Sequence, residues 1–561
     1  MRPTPSFPRC VAYTLCAALV VVSAALTSCT RFARFARKST DKAAYRIIQE
    51  KQKRALGKAE DFTIEHTQGE SAKRLLESAK RVDPLKESVY TTPTCTLALA
   101  DALAIALANN RGYQSSKEDL YASALSLTQS RYDFSPIFSA GGSGDFTRAE
   151  SGHHTATGPS VEKFGSYDYA IGLSKKVALT GAAISANFTH GLTRFFNVHV
   201  APSSTNNAAF TIIQPLLNGA GPLVAGESLR QSERNMLYAV RSFRRTQQSF
   251  LIDTAAGYYQ LLGALDQLNN EYFNYQSAVV NRERVEMYAL AGRTPEIEAD
   301  QARQREFQAA NSWNNAQADY LRLLDQFKSY LSLPLDLDVG PDPRELTSIA
   351  ERGLVMPQVN LAEAVKSALS RRLDLQNADD QLEDANRGVK IAFRNFLPTL
   401  NAGYSYTTSR DLKGDRVDID FQNNTQNWGL DLTLPLDWTP RRNSYRQALI
   451  EQARAMRAVA DLRDKVMLEV RDAWRQLERS GKNYEIQLRS VRLADRRVEG
   501  VSLSLAAGRA TTRDLLDAQS DQLQAKNLLT AALVDHTIQR MRFWNAIERL
   551  EVDPKGMWYQ Q

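Results

Sequence analysis

The chain carries an internal repeat, and the repeat has two registers. Leu99-Ala100-Asp101-Ala102-Leu103 returns as Leu361-Ala362-Glu363-Ala364-Val365, an offset of 262 that also carries Leu107 to Leu369, Phe134 to Phe396 and Pro136 to Pro398. Farther along the offset becomes 216: Tyr258 meets Trp474, Leu261 meets Leu477, Ala291-Gly292-Arg293 meets Ala507-Gly508-Arg509, and Glu298 meets Asp514. Two constant offsets describe two related halves, and their difference places 46 additional residues between Pro136 and Tyr258 of the first. The 561 residues are then best read as one repeat-built architecture, with repeats over 94–345 and 346–561, preceded by a leader (1–28) and a basic tether (29–93).

Each half reads helix, strands, long helix, tight turn, helix. The first helix, about 97–134 and again 360–396, opens with apolar residues at helical spacing (Leu99, Leu103, Leu107) and stops before an X-Pro step. No proline lies between Pro222 and Pro295, nor between Pro440 and Pro554. In the second of these stretches Val466, Val470, Ala473 and Leu477 alternate steps of four and three, resuming at Tyr484, Leu488 and Val491 and again at Val498, Val501 and Leu505. This heptad-like seam, with slips, predicts a helix over roughly 444–507, on the order of 95 Å long. The shorter helices, roughly 97–134 and 296–332, come to about 57 Å each, so two of them end to end match one long helix. Four parallel columns per chain, with Gly-Arg turns at one end and strands at the other, describe part of a tall helical cylinder. The aromatics Tyr258 and Trp474 are expected in the core between columns.

Strand candidates cluster where the helices stop. Tyr167, Tyr169, Ile171 and Leu173 alternate with small or polar residues, and Trp428, Leu430, Leu432 and Leu434 alternate with Gly429, Asp431 and Thr433. A half-buried soluble sheet gives this pattern, but strands abutting such long helices in an exported chain fit lipid on one face and water on the other. Tyr404 and Tyr406 are candidates for an aromatic girdle. The second half has room for two strands, about 398–409 and 426–434. The first has room for four: Phe138 to Phe146, Tyr167 to Val177, Ile184 to Leu192 after a Thr180-Gly181 turn, and Ala209 to Gln214. The added residues therefore predict an extra hairpin, either enlarging a barrel or folding over its mouth. His153 and His154 fall in a Gly/Ser/Thr-rich stretch that reads as a loop.

A net charge of +7 invites a nucleic-acid reading until its location is considered: Arg31 to Lys58 holds ten Lys/Arg and two Asp/Glu, which leaves a near-neutral body and no nucleic-acid partner. Such a tether lies against anionic lipid or is simply solvated. Residues 1–28 have a positive start, an apolar run from Val11 to Ala25 and small residues before a cysteine, an export signal for which an uncleaved anchor is the competing reading. Leu26-Thr27-Ser28-Cys29 resembles the bacterial lipobox, which implies cleavage before Cys29 and lipidation of its sulfur, with palmitate-type chains holding the protein to outer-membrane lipid. Cys10 and Cys16 would leave with the leader, so Cys95 has no partner for a disulfide. No Cys/His cluster has metal-ligand spacing, and no nucleophile or acid/base constellation suggests catalysis; the expectation is no metal, no cofactor and no enzyme.

Over about 94–556 the chain resembles the TolC-like outer-membrane efflux protein family. The resemblance rests on Leu99–Leu103 with Asn109-Asn110-Arg111, on Phe134-Ser135-Pro136 and Phe396-Leu397-Pro398 before strands, on Gln214-Pro215-Leu216-Leu217 and Leu434-Pro435-Leu436 after them, and above all on the run Ala507-Gly508-Arg509 through Asp517-Ala518-Gln519. It implies a mixed fold, a long α-helical coiled-coil barrel plus a transmembrane β-barrel, closed by trimerisation at the outer membrane and projecting into the periplasm. The family norm is four strands per subunit, and the first half here has room for more than its share of them. The resemblance also implies a passive exit duct, working with a periplasmic adaptor and an inner-membrane pump.

By the same resemblance, the turns carrying Gly292, Arg293, Gly508 and Arg509 are where the adaptor docks. Asp514 and Asp517 match the acidic pair ringing the pore aperture, with Glu298 at the corresponding point of the first half. Three acidic pairs on one axis would attract cations, and like charges there should raise carboxylate pKa values. A basic residue that some members place two after the second glycine is Ala510 here, with Arg509 or Arg513 as substitutes. The alternatives are a lipid-anchored periplasmic coiled-coil scaffold, which leaves the alternating strands unused, and an exported enzyme, which lacks a site. The role of 31–93, expected to be helical in parts, is not legible.

Overall fold

The computed structural model describes residues 35–65, 95–155, 158–196, 201–552 and 558–560. The leader and the acylation candidate Cys29 lie outside them. In chain order the elements are helix α1 (35–56), β1 (Cys95–Leu97), α2 (Leu99–Asn109), α3 (Arg111–Tyr132), and strands β2 (Ile137–Thr155), β3 (Gly158–Lys176), β4 (Ala183–Phe195) and β5 (Ser203–Pro215). Then follow α4 (Pro222–Ala225), α5 (Glu227–Leu290), α6 (Glu296–Tyr330), β6 (Val339–Pro341), α7 (Pro343–Arg352), α8 (Leu361–Arg371) and α9 (Leu373–Arg394). The chain closes with β7 (Thr399–Lys413), β8 (Asn424–Thr433), α10 (Thr439–Ala506), α11 (Thr512–Ala546), β9 (Leu550–Val552) and β10 (Trp558–Gln560). The proline-free stretches give helices of 64 and 68 residues, and the helices that follow them have 35 residues each.

Two compact units share these elements: residues 1–62, 120–240 and 380–456 form one, the rest of the chain the other. The first contains one antiparallel sheet in the order β2-β3-β4-β5-β7-β8. Register partners occupy the same face of a sheet, so its composition is read directly across strands. Tyr404 pairs with Trp428 and with Ile212, Phe210 with Tyr406, Ile171 with Phe188, and Phe138 with Leu173: one face is largely apolar, interrupted by the rung His190, Asn206 and Arg410. The other carries Asp168, Asn187, Thr189, Ser405, Asn427 and Asp431. The strands are longer than the alternation alone predicts. His153 and His154, expected in a loop, lie in β2, whose register shifts between Ser151 and His154. Hydrogen-bond pairing with β3 carries the strand through a Gly-rich segment in which local propensity opposes it. The rings of Tyr169 and Tyr167 cover its bare glycines; a Cβ built on Gly142 would lie 3.4 Å from the Tyr169 ring, and one on Gly144 3.3 Å from Tyr167.

Below the sheet in the same unit, α1 runs alongside α3 in the same direction, Tyr121 donating to Asp41 and Arg131 facing Glu50. It buries Ala44, Ile47 and Ile48, and its buried Lys51 ion-pairs with Glu233, which Arg131 also holds at 2.6 Å. Between α5 and α9, Arg234 reaches Asp380, Glu383 and Asp384, while Arg387 bridges Glu227 and Asp384. The Tyr238 hydroxyl donates to Asp384 at 2.6 Å, and burial followed by that carboxylate pushes its pKa up to about 12.

The second unit holds the apolar core, centred on Tyr258, Tyr320, Phe543 and Leu103. Tyr258 is fully buried, and Trp474 packs on that core with its ring 5.5 Å from Phe543, so both aromatics lie where the sequence placed them. Tyr258 ties the core together, donating to the Leu97 carbonyl at 2.8 Å and accepting from the Asp342 amide at 3.3 Å, beside the parallel pair β1–β6.

The expected single helix at 97–134 is two helices broken at Asn110, and that at 360–396 is two broken at Arg372. Both residues have extended ψ near 125°. Asn110 accepts from the Tyr113 amide and donates to the Tyr330 carbonyl; the buried Arg372 clamps Asp374 at 2.6 Å and Glu469 at 2.5 Å. The Asn110 side chain re-satisfies the Tyr113 amide that a straight helix would have paired, while Tyr330 and Glu469 are partners distant in sequence.

Tyr258→Phe removes both hydroxyl contacts and leaves the Leu97 carbonyl with the Asp342 amide, at 3.1 Å, as its donor. It is expected to cost about 1–2 kcal/mol, read as a lower unfolding midpoint of the purified protein in detergent.

Candidate functional site

The two helix-to-helix turns repeat one geometry. At the first, Gly292 has φ +68° and its N–H donates to the Ala289 carbonyl at 3.0 Å, while Arg293 N–H reaches back to Tyr288 at 2.9 Å. At the second, Gly508 has φ +70°, donating to Leu505 at 3.0 Å, and Arg509 N–H reaches Ser504 at 2.8 Å. Bonds closing a helix end around a left-handed residue favour glycine, which has no Cβ, although Ser332 and Glu548 close two other helices the same way at φ 54° and 53°. Nothing lies within 4 Å of where a Cβ would stand at either glycine, so the surroundings impose no further demand. Arg293 and Arg509 are exposed.

Each turn is stiffened below its tip. Arg282 pairs with Glu306 at 2.5 Å and with Glu286 at 2.8 Å, and Arg303 pairs with Glu286 at 2.6 Å, so four side chains join α5 to α6 over the small apolar cluster Val285, Ala299 and Ala302. Across the second turn Arg497 pairs with Asp521, and Gln522 donates to Asp495 at 2.7 Å.

Asp514 and Asp517 both lie exposed at the start of α11, while Glu298 lies half-buried in the first turn of α6. The carboxylates are not equivalent. Asp514 closes a capping box with Thr511: its Oδ2 accepts the Thr511 hydroxyl at 2.7 Å and the Thr511 amide at 2.9 Å, and the Thr511 hydroxyl oxygen accepts the Asp514 amide at 3.2 Å. Those hydrogen bonds, the hydroxyl's first, hold Asp514 below the usual aspartate range. Within one subunit, then, hydrogen bonding governs Asp514, and its shift is opposite to the one expected from clustered like charges. Asp517 has Arg513 at 4.0 Å, one turn back on the same helix. The reading of the sequence missed Thr511, although Thr511-x-x-Asp514 is the signature of this cap. It also missed the Arg282/Glu286/Arg303/Glu306 cluster, whose members lie on two helices and show no local spacing.

Among the described residues no group of His, Cys, Asp and Glu could hold a metal ion, and no helix is long and apolar enough to cross a membrane. A sheet largely apolar on one face and polar on the other, continuous in sequence with helices of more than sixty residues, has the pattern that membrane-crossing strands require.

Comparison with known proteins agrees. Residues 364–546 match the outer membrane efflux protein family. Outer membrane efflux protein BepC of Brucella suis biovar 1 (strain 1330) is 26% identical over 341 residues, 59% of this chain and 67% of that protein. Among solved structures, CusC superposes with a TM-score of 0.59 at 14% identity over 83% of this chain and 96% of its own, and the Campylobacter jejuni CmeC outer membrane channel with 0.58 at 15% over 84% and 94%. Over 364–546 the chain is thus similar in sequence to the outer membrane efflux proteins, and its fold is that of the CusC and CmeC structures.

Because the Asp514 pKa is depressed, its support of α11 is complete above the ordinary aspartate value of about 3.9 and is lost as pH falls through the lower, folded value. Hydrogen-exchange protection at 511–515 should be level from neutral pH to about pH 4 and drop below it. Thr511→Ala should raise exchange there roughly three- to ten-fold at neutral pH, and Asp514→Asn should abolish the acid drop.

Proposed function

We propose that this chain is the outer-membrane exit duct of a tripartite efflux or type I secretion system. Three copies would close one β-barrel in the membrane and one α-barrel in the periplasm, with Cys29 acylated and anchored in outer-membrane lipid. The observation that carries the reading is the single sheet, apolar on one face, joined to long helices that end in paired glycine turns.

Transport through such a duct needs no chemistry in this subunit; an inner-membrane pump supplies the energy. What the subunit supplies is a polar path and a tip that opens. The turns at Gly292-Arg293 and Gly508-Arg509 fit the adaptor's docking points: rigidly braced, exposed and cationic. Asp514 and Asp517, with Glu298 at the start of the neighbouring hairpin arm, fit the aperture. Asp514 in particular is held ionised by its cap, so three copies would bring fixed negative charge to the axis at neutral pH.

Planar-bilayer recording tests this. The wild-type chain should form cation-selective pores blocked by multivalent cations, and Asp514→Ala with Asp517→Ala should lower both selectivity and block. Pores with unchanged selectivity and block would remove the aperture assignment; a protein that is monomeric, water-soluble and forms no pores would remove the duct.

A further inference from the structure

We infer that the hairpin formed by β3 and β4 is part of the membrane-spanning wall, so that a closed ring of three copies has eighteen strands, six from each. The inference rests on the duct reading above and concerns where the added residues of the first half go.

In the second half the chain leaves Pro398, forms two strands and exits through Leu434-Pro435. In the first it leaves Pro136 on β2 and exits through Pro215 at the end of β5, so β3 and β4 are the added pair. They are neither short nor detached. With 19 and 13 residues, both exceed the roughly 9–11 that a tilted strand needs to cross a bilayer. Their pairing is continuous with β2 on one side and β5 on the other, and no bulge interrupts the β3–β4 and β4–β5 registers.

The side chains make the stronger case. Ile171 pairs with Phe188, Phe188 with Ala208, and Ala208 with Thr408; two and four residues from Thr408 on the same face stand Tyr406 and Tyr404, the latter paired with Trp428. The hairpin therefore turns Ile171 and Phe188 to the side on which β7 and β8 carry their aromatic and aliphatic residues, with Ile171 62% exposed beside Trp428 at 77% and Leu430 at 73%. Asp168, Asn187 and Thr189 fall on the polar face. A hairpin folded across a channel mouth would not share these apolar rungs, as distinct from the polar rung His190, Asn206 and Arg410 above them, with the strands it left.

The turn between β3 and β4 is also fixed in height. Gly221 N–H donates to the Thr180 carbonyl at 3.2 Å and Gln214 Nε2 donates to the same oxygen at 2.9 Å, where β5 leaves the sheet. Gly181, at φ +85°, lies so close to this exit loop that a Cβ on it would stand 2.6 Å from the Gly219 carbonyl oxygen. The added strands thus end level with the others, on the helix side. Because barrel diameter grows roughly linearly with strand number, eighteen strands give a ring about half again as wide as the twelve of three four-stranded subunits.

Depth-dependent quenching decides the matter. The full chain carrying Cys95→Ser, which supplies the background, receives single cysteines at Ile171, Phe188, Asn187, Thr189 or Leu430. Each variant is labelled with bimane and reconstituted into vesicles of phosphatidylcholine with or without brominated acyl chains, with heat-modifiable mobility verifying its assembly. Labels at Ile171 and Phe188 should be quenched as strongly as the β8 control at Leu430, and those at Asn187 and Thr189 at most half as much. Quenching at Leu430 alone overturns the inference and leaves the duct intact; no quenching at Leu430 either overturns the duct itself. Electron microscopy of the wild-type chain in nanodiscs gives the second reading: eighteen strands around the ring supports the inference, twelve overturns it.

Discussion

A sheet with two open edges cannot stand in hydrocarbon. Every backbone N–H and C=O there must find a partner within protein, and among the described residues no strand pairs with the outer edges of β2 and β8. The six strands alternate in direction, so the first and the last run opposite ways and the edge of one copy suits the edge of the next in antiparallel pairing. An odd number of strands would not allow this. The need to satisfy the edges is what links the sheet to self-association, and self-association is what would turn an acidic residue at the start of a helix into a ring of charge.

The helices answer a different constraint. They lack an apolar girth fit for lipid, so their stability comes from one another: from the core around Tyr258 and Phe543, and from the Arg/Glu cluster that joins α5 to α6. These polar side chains occur where the hairpin arms offer only small apolar residues such as Ala299 and Ala302. In such a place, burying alkyl surface stabilises little, and paired charges fix the register of the arms instead.

Much of this was legible in the sequence because long periodic segments advertise themselves. The proline-free stretches and the glycine turns located α5, α10 and both tips within a few residues, and alternation located the strands. What stayed hidden depended on partners far along the chain. The breaks at Asn110 and Arg372 are held by Tyr330 and Glu469, and nothing in the local pattern marks them. The upper part of β2 is a strand because β3 pairs with it, although its composition is that of a loop. At the tip, the acidic residues were visible but the state of Asp514 was not, since it is set by a threonine three residues away whose cap only geometry displays.

The direction of α1 bears on any tail at Cys29. Since Asp41 lies against Tyr121 and Glu50 against Arg131, α1 climbs toward the sheet, and its first residue stands at a depth of about 30 Å beneath the start of β2. From Cys29 to residue 35 the backbone reaches at most about 20 Å. Acyl chains on Cys29 could therefore enter the bilayer only if roughly the first turn of α1 came undone, since each residue released both lengthens the leash and shortens the climb. Were Cys29 acylated, fatty-acid insertion and the docking of this helix would compete over the same few residues.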